Sequence, residues 1–132
     1  MDTRILIVDD SPLVRQRLRD MLQQNSEWEV CGEAANGGDA LEKVQLMKPD
    51  LIVLDFLMPG MDGLQTAREI GKLVPSIPIL MFTMHLSKQL VEEARSVGIR
   101  GAVPKSDAGR IIKGVEALLR NEAYFSLNGS LD

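Results

Sequence analysis

The chain has 132 residues, 45% of them hydrophobic and 26% charged, with a formal net charge of −4. Its length suits one domain, and its composition excludes a disordered chain. The acidic balance argues against a nucleic-acid-binding surface, and the lone cysteine, Cys31, excludes an internal disulfide.

The first predicted element is the run Ile5-Leu6-Ile7-Val8, apolar and β-branched, as in a strand covered on both faces. Ser11-Pro12 then reads as an N-cap and first helical position, and Val14, Leu18, Met21 and Leu22 fall on one helical stripe. Arg15, Arg17 and Arg19 lie off that stripe and read as a solvated face. A weaker strand covers about Trp28 to Ala34, with Cys31 as a small core residue. Asn36-Gly37-Gly38 reads as a loop, and Ala40, Leu41, Val44 and Met47 give a second helical face that Lys48-Pro49-Asp50 stops.

The third strand is Leu51 to Leu54. A short helix from Gly63 to Gly71 follows the Met-Pro-Gly loop, with Asp62 as its cap. Ile79 to Phe82 is the fourth strand. Ser87 caps a helix carrying Leu90, Ala94 and Val97, and Gly98 ends it. Gly101-Ala102-Val103 is a fifth strand, and the last helix starts at Ser106 or Asp107, with Ile111, Val115 and Leu118 inward. Leu90, Val91 and Ile112 are expected to leave apolar surface on the last two helices. The tail from Tyr124 to Asp132 shows no period.

Strand and helix therefore alternate five times, which implies a parallel sheet with helices on both faces. No run is long enough to span a membrane, and MDTRILIVDD lacks the form of a signal peptide; a cytoplasmic protein is expected.

Parallel sheets bind ligands outside the carboxyl ends of their strands. Asp9 and Asp10 follow strand one, Asp55 follows strand three, Thr83 follows strand four, and Lys105 stands just beyond strand five. Three carboxylates on one edge repel one another unless a cation sits among them, and a small set of hard oxygen ligands suits Mg²⁺. Acids, a metal, an amine and a hydroxyl together describe a site that receives a phosphoryl group on a carboxylate. A nucleotide cradle is disfavoured, because Asp9-Asp10-Ser11-Pro12 has two acids and no glycine where a phosphate would sit. A hydrolase with an aspartyl nucleophile would carry it after strand one as Asp-x-Asp; here the acids are adjacent.

With ILIVDDSPLVR at 5–15, PDLIVLDFLMPGMDG at 49–63, MFTMH at 81–85 and GIRGAVPKS at 98–106, the sequence resembles a two-component response-regulator receiver domain. Its stretches TMH, GIRGAVPKSD and NEAYFS resemble the LuxR/NarL-type branch. The resemblance implies a flavodoxin-like (CheY-like) doubly wound five-stranded parallel sheet in the order 2-1-3-4-5, helices on both faces. It assigns residues 1–122 to the receiver and 123–132 to a tail or the start of a linker.

By that resemblance Asp55 is the phosphoacceptor. Asp10, Asp55 and the backbone carbonyl of Leu57 ligate Mg²⁺, with Asp9 acting through water, and Thr83 and Lys105 bind the phosphoryl oxygens. The implied donor is a sensor histidine kinase or phosphotransfer protein. The domain is expected to act as a self-catalysed phosphoacceptor with slow autodephosphorylation, not as an enzyme on a separate substrate. The implied context is a transcriptional regulator whose DNA-binding domain would follow and is missing here; the alternative is a stand-alone or degenerate receiver serving as an interaction module. A homodimer through the fourth helix, fifth strand and fifth helix is implied.

Four positions depart from the pattern or tune it. Ala102 stands where such receivers commonly carry the aromatic switch residue. Met84 stands where a small residue is common and could narrow access to the acceptor. Leu57 and His85 hold the variable positions flanking the acceptor, where the family tunes dephosphorylation.

Overall fold

A computed structural model describes residues 2–127 and 130–131. Six strands lie parallel, and the sheet order is β2-β1-β3-β4-β5-β6-β7. They are β1 (Thr3–Val8), β2 (Trp28–Ala34), β3 (Leu51–Leu54), β4 (Ile79–Thr83), β5 (Gly101–Pro104) and β6 (Tyr124–Leu127). The two-residue β7 (Ser130–Leu131) turns back antiparallel on β6. The helices are α1 (Pro12–Leu22), α2 (Gly37–Met47), α3 (Gly63–Leu73), α4 (Lys88–Ser96) and α5 (Ile111–Leu119).

The expected order 2-1-3-4-5 is thus present and extended at one edge. Successive side chains of a strand face opposite sides. Leu6, Val8, Ile52, Leu54, Ile79 and Met81 accordingly pack with Ala40, Val44, Ala67, Ile70, Leu90 and Ala94 of α2, α3 and α4. Ile5, Ile7, Leu51, Val53, Leu80 and Phe82 pack with Leu18, Leu22, Ile111, Val115 and Leu118 of α1 and α5. Fully burying each such large side chain contributes roughly 1.5–3 kcal/mol. Both cores leave the carboxyl ends of the strands free for polar groups.

Several local expectations change. The tail that showed no period holds β6, with Gly101 opposite Tyr124 and Ala102 opposite Phe125. Residues 128, 129 and 132 of that tail lie outside the described residues. Gly101 makes the pairing feasible: a Cβ there would stand 2.6 Å from the Tyr124 carbonyl oxygen and 2.7 Å from Leu80 Cδ1. A 3-10 turn (Lys105–Arg110) precedes α5, so the last helix proper starts at Ile111 rather than Ser106 or Asp107. α2 starts at Gly37, because the Asn36 side chain accepts from the Asp39 N–H and caps it. Leu90 and Val91 are buried at 6% and 2% exposure, so α4 turns them inward instead of leaving apolar surface. Cys31 is only half-buried, since the β1–β2 register passes from Ile5–Val30 to Leu6–Gly32 and leaves it in a bulge. No described helix is long and apolar enough to cross a membrane.

Candidate functional site

Strand register brings the acids together. The Asp9 N–H donates to the Ala34 carbonyl and the Asp55 N–H to the Val8 carbonyl, both at 3.0 Å, so each acid is the first residue past its strand but still tied to the sheet. Asp9 and Asp55 are 1% and 5% exposed; Asp10 faces solvent. The three carboxylates offer oxygens that all lie within 4.8 Å of one another.

Lys105, one residue past β5, reaches into this cluster. Its Nζ lies 2.8 Å from Asp9 Oδ2 and 3.0 Å from Asp55 Oδ2. Asp9 Oδ1 accepts the Ser11 N–H at 2.9 Å. Asp55 Oδ1 is buried with no hydrogen-bond partner, and so is Thr83 Oγ1 at the end of β4. A buried polar atom left unpaired costs about 1–3 kcal/mol, which a ligand offering hydrogen bonds or charge to these two atoms would offset.

The charges perturb one another. Burial pushes the Asp55 carboxyl above its ordinary value of 3.8, and the neighbouring charge of Asp9 adds to the rise; the Lys105 ammonium pulls it partly back. Burial alone would lower the Lys105 pKa, but hydrogen bonds to Asp9 and Asp55 outweigh it and hold the ammonium above 10.5. Lys105 therefore stays charged at neutral pH.

The oxygen-only donor set of Asp9, Asp10 and Asp55, with Asp10 open to solvent, fits a hard divalent cation with room for water, as Mg²⁺ requires.

The loop after β3 is shaped by Gly63. A Cβ there would meet the Asp55 carbonyl oxygen at 2.4 Å and Phe56 Cα at 2.7 Å, so only glycine lets α3 start against the loop that follows β3. Asp62 caps α3 as its position suggested, through the Gln65 N–H at 2.9 Å, and the Gln65 side chain returns to the Asp62 N–H to complete a capping box.

The flanking positions fall at the rim. Leu57, Met84 and His85 are exposed. Met84 lines a cleft of about 180 Å³ with Phe82, Lys105 and α1 residues including Val14 and Arg17. Ala102 is fully buried in β5. The aromatic absent there is present one strand away: Phe125 of β6 is 1% exposed and packs in the same core cluster, with the Arg95 guanidinium 4.0 Å from its ring centroid.

A second group had not been expected. Arg15 and Arg19, read as a solvated face, both bind Glu33 of β2, at 2.8 and 2.6 Å. Burial alone would raise the Glu33 carboxyl; the Arg19 and Arg15 hydrogen bonds overcome it and hold it below the ordinary 4.5.

Residues 5–116 match the family described as the response regulator receiver domain. The chain belongs to that family. A response regulator protein VraR of Staphylococcus saprophyticus is 33% identical over 126 residues, 95% of this chain and 60% of the relative. A protein-glutamate methylesterase/protein-glutamine glutaminase of Carboxydothermus hydrogenoformans is 42% identical over 105 residues, 77% of this chain and 30% of the relative. Among solved structures, a LuxR-family two-component response regulator from Aurantimonas sp. superposes with a TM-score of 0.90 at 32% identity, covering 93% of this chain and 89% of that one. The signal receiver domain of the response regulator NarL from Mycobacterium tuberculosis gives 0.84 at 30%, covering 92% and 98%. The chain spans about 60% of the length of the VraR relatives it matches.

Proposed function

We propose that this receiver domain accepts a phosphoryl group on Asp55 from a phosphohistidine of a sensor kinase or phosphotransfer protein. The observation that carries the reading is the pair of buried oxygens without partners, Asp55 Oδ1 and Thr83 Oγ1, beside a lysine already bound to Asp55 Oδ2. Asp55 Oδ1 is the nucleophile: a phosphorus–oxygen bond forms to it as the donor's phosphorus–nitrogen bond breaks, and the donor imidazole leaves with the electron pair. Lys105 and the Thr83 hydroxyl are placed to pair with the phosphoryl oxygens. The Lys105 ammonium also opposes the rise that burial imposes on the Asp55 carboxyl.

Asp10, Asp55 and the Leu57 carbonyl would hold Mg²⁺, with Asp9 acting through water. When bound, the ion neutralises charge gathering on the transferred oxygens.

The downstream role is that of the regulatory part of a DNA-binding regulator. In support, a LuxR-family regulator superposes over 93% of this chain at 32% identity, and an RcsB response regulator solved for its DNA interaction superposes over 95% of it at 25% identity. A homodimer through α4, β5 and α5 keeps Leu119, 38% exposed, and half-buried Ile112 as its apolar contribution; Leu90 and Val91 are spent on the core.

The test is incubation with phosphoramidate, a small donor with a phosphorus–nitrogen bond, plus Mg²⁺. Intact mass should rise by one phosphoryl group in wild type and not in Asp55→Asn. An unchanged wild-type mass over hours would remove the reading.

A further inference from the structure

Arg15 turns back from α1 toward the strand it follows. Its Nη1 donates to the Asp9 carbonyl oxygen at 2.7 Å and its Nε to Glu33 Oε1 at 2.8 Å, and its side chain is only 18% exposed. Glu33 Oε2 accepts from Arg19 Nη2 at 2.6 Å and Nε at 2.9 Å. On the other side of the same residue, the Asp9 N–H is tied to the Ala34 carbonyl. The main chain of Asp9 is thus held from both ends, by strand β2 directly and by β2 through Glu33 and Arg15.

We propose that Arg15 is a positioning residue for the cation site, clamped by Glu33. This rests on the reading of Asp9, Asp10 and Asp55 as that site. A residue just past a strand end has no further ladder bond to fix its carbonyl. A rotation of the chain at the Asp9 carbonyl would swing the Asp10 carboxylate away from Asp9 and Asp55. The planar guanidinium is suited to this task, since one rigid fork contacts a carbonyl and a carboxylate together. Hydrogen bonds to charged groups are stronger than neutral ones, and Glu33 stays ionised between its two arginines. Groups that orient metal ligands typically cost about 10–100-fold in affinity when removed.

Arg19 supplies the internal comparison. It grips the same Glu33 carboxylate but makes no hydrogen bond to Asp9. A role limited to tying α1 to β2 would belong to both arginines equally.

The experiment is Mn²⁺ binding to the folded chain, followed by electron paramagnetic resonance of the free ion. Arg15→Ala should weaken affinity about tenfold, while Arg19→Ala leaves it within about twofold of wild type on the same reasoning. Arg15→Lys, which keeps a cationic donor for the Asp9 carbonyl, should regain most of the loss. Arg15→Gln replaces the alanine variant if that one does not fold, with the same direction expected against Arg19→Ala. Equal affinities for the Arg15 and Arg19 variants, or no recovery with lysine, overturn the positioning role. A wild-type chain that binds no Mn²⁺ removes the cation-site reading itself and the inference with it.

Discussion

The ammonium of Lys105 stands 3.0 Å from one carboxylate oxygen of Asp55 and leaves the other oxygen buried and unpaired. One oxygen of this carboxylate is thereby held, and the proposed phosphoryl transfer would use the other. The lysine also bridges to Asp9, so one cation balances two buried anions.

Replacing Lys105 with Ala should destabilise the metal-free protein by about 2 kcal/mol. Breaking a fully buried pair costs roughly 3–5 kcal/mol, and this site opens to solvent through Asp10. Urea unfolding in EDTA reads the change; a variant as stable as wild type would mean that the lysine does not neutralise the acids.

Asp55→Asn should move stability the other way at neutral pH. Two unit charges about 4 Å apart repel by roughly 4 kcal/mol at an effective dielectric near 20. Lys105 and nearby water offset most of that, and Asn sheds the charge burial disfavours, leaving a net gain of about 1 kcal/mol on the same scale. A clear loss of stability in the same unfolding assay contradicts this.

Two acids give opposite pH dependences. Asp55 has a raised folded-state pKa, so the folded chain binds more protons than the unfolded chain between the ordinary 3.8 and the raised value. Its contribution to stability is present at low pH and lost as pH rises through the folded-state pKa. Glu33 has a lowered pKa, so its contribution is present above the ordinary 4.5 and lost as pH falls through the lowered folded-state value. Relative to wild type, Asp55→Asn should gain stability as pH rises from 4 toward 7, and Glu33→Gln should fall behind over the lower part of that range. Parallel pH profiles for the two variants would refute the assignment.

Phe125→Ala should cost about 3–5 kcal/mol, the usual range for emptying a buried aromatic site. Gly101→Ala should also destabilise, by roughly 1–3 kcal/mol from overpacking, because the added methyl meets the Tyr124 carbonyl. If chemical denaturation shows both variants as stable as wild type, β6 is not part of the cooperative unit.

Most of the fold was legible because buried parallel strands are written as unbroken apolar runs. Ile5–Val8, Leu51–Leu54 and Ile79–Phe82 sit where they were expected. The acids, Thr83 and Lys105 were legible for the same reason: they mark where each run stops. β6 was not, because four residues carry too little period; only the adjacent aromatics Tyr124 and Phe125 and the small residues Gly101 and Ala102 hinted that another strand fits there. Arg15 and Glu33 were missed because their meeting depends on the β1–β2 register, which a local pattern does not encode. Leu90 and Val91 looked like surface because a helix spanning nine residues does not show which side its neighbours cover.

The central claim is that Asp55 carries the phosphoryl group. Borohydride reduces an aspartyl phosphate to homoserine, so treatment after incubation with phosphoramidate and Mg²⁺ marks the acceptor covalently. Peptide sequencing by mass spectrometry should place homoserine at residue 55 and nowhere else. Homoserine at residue 9 or 10, or a wild-type chain with none, would contradict the account.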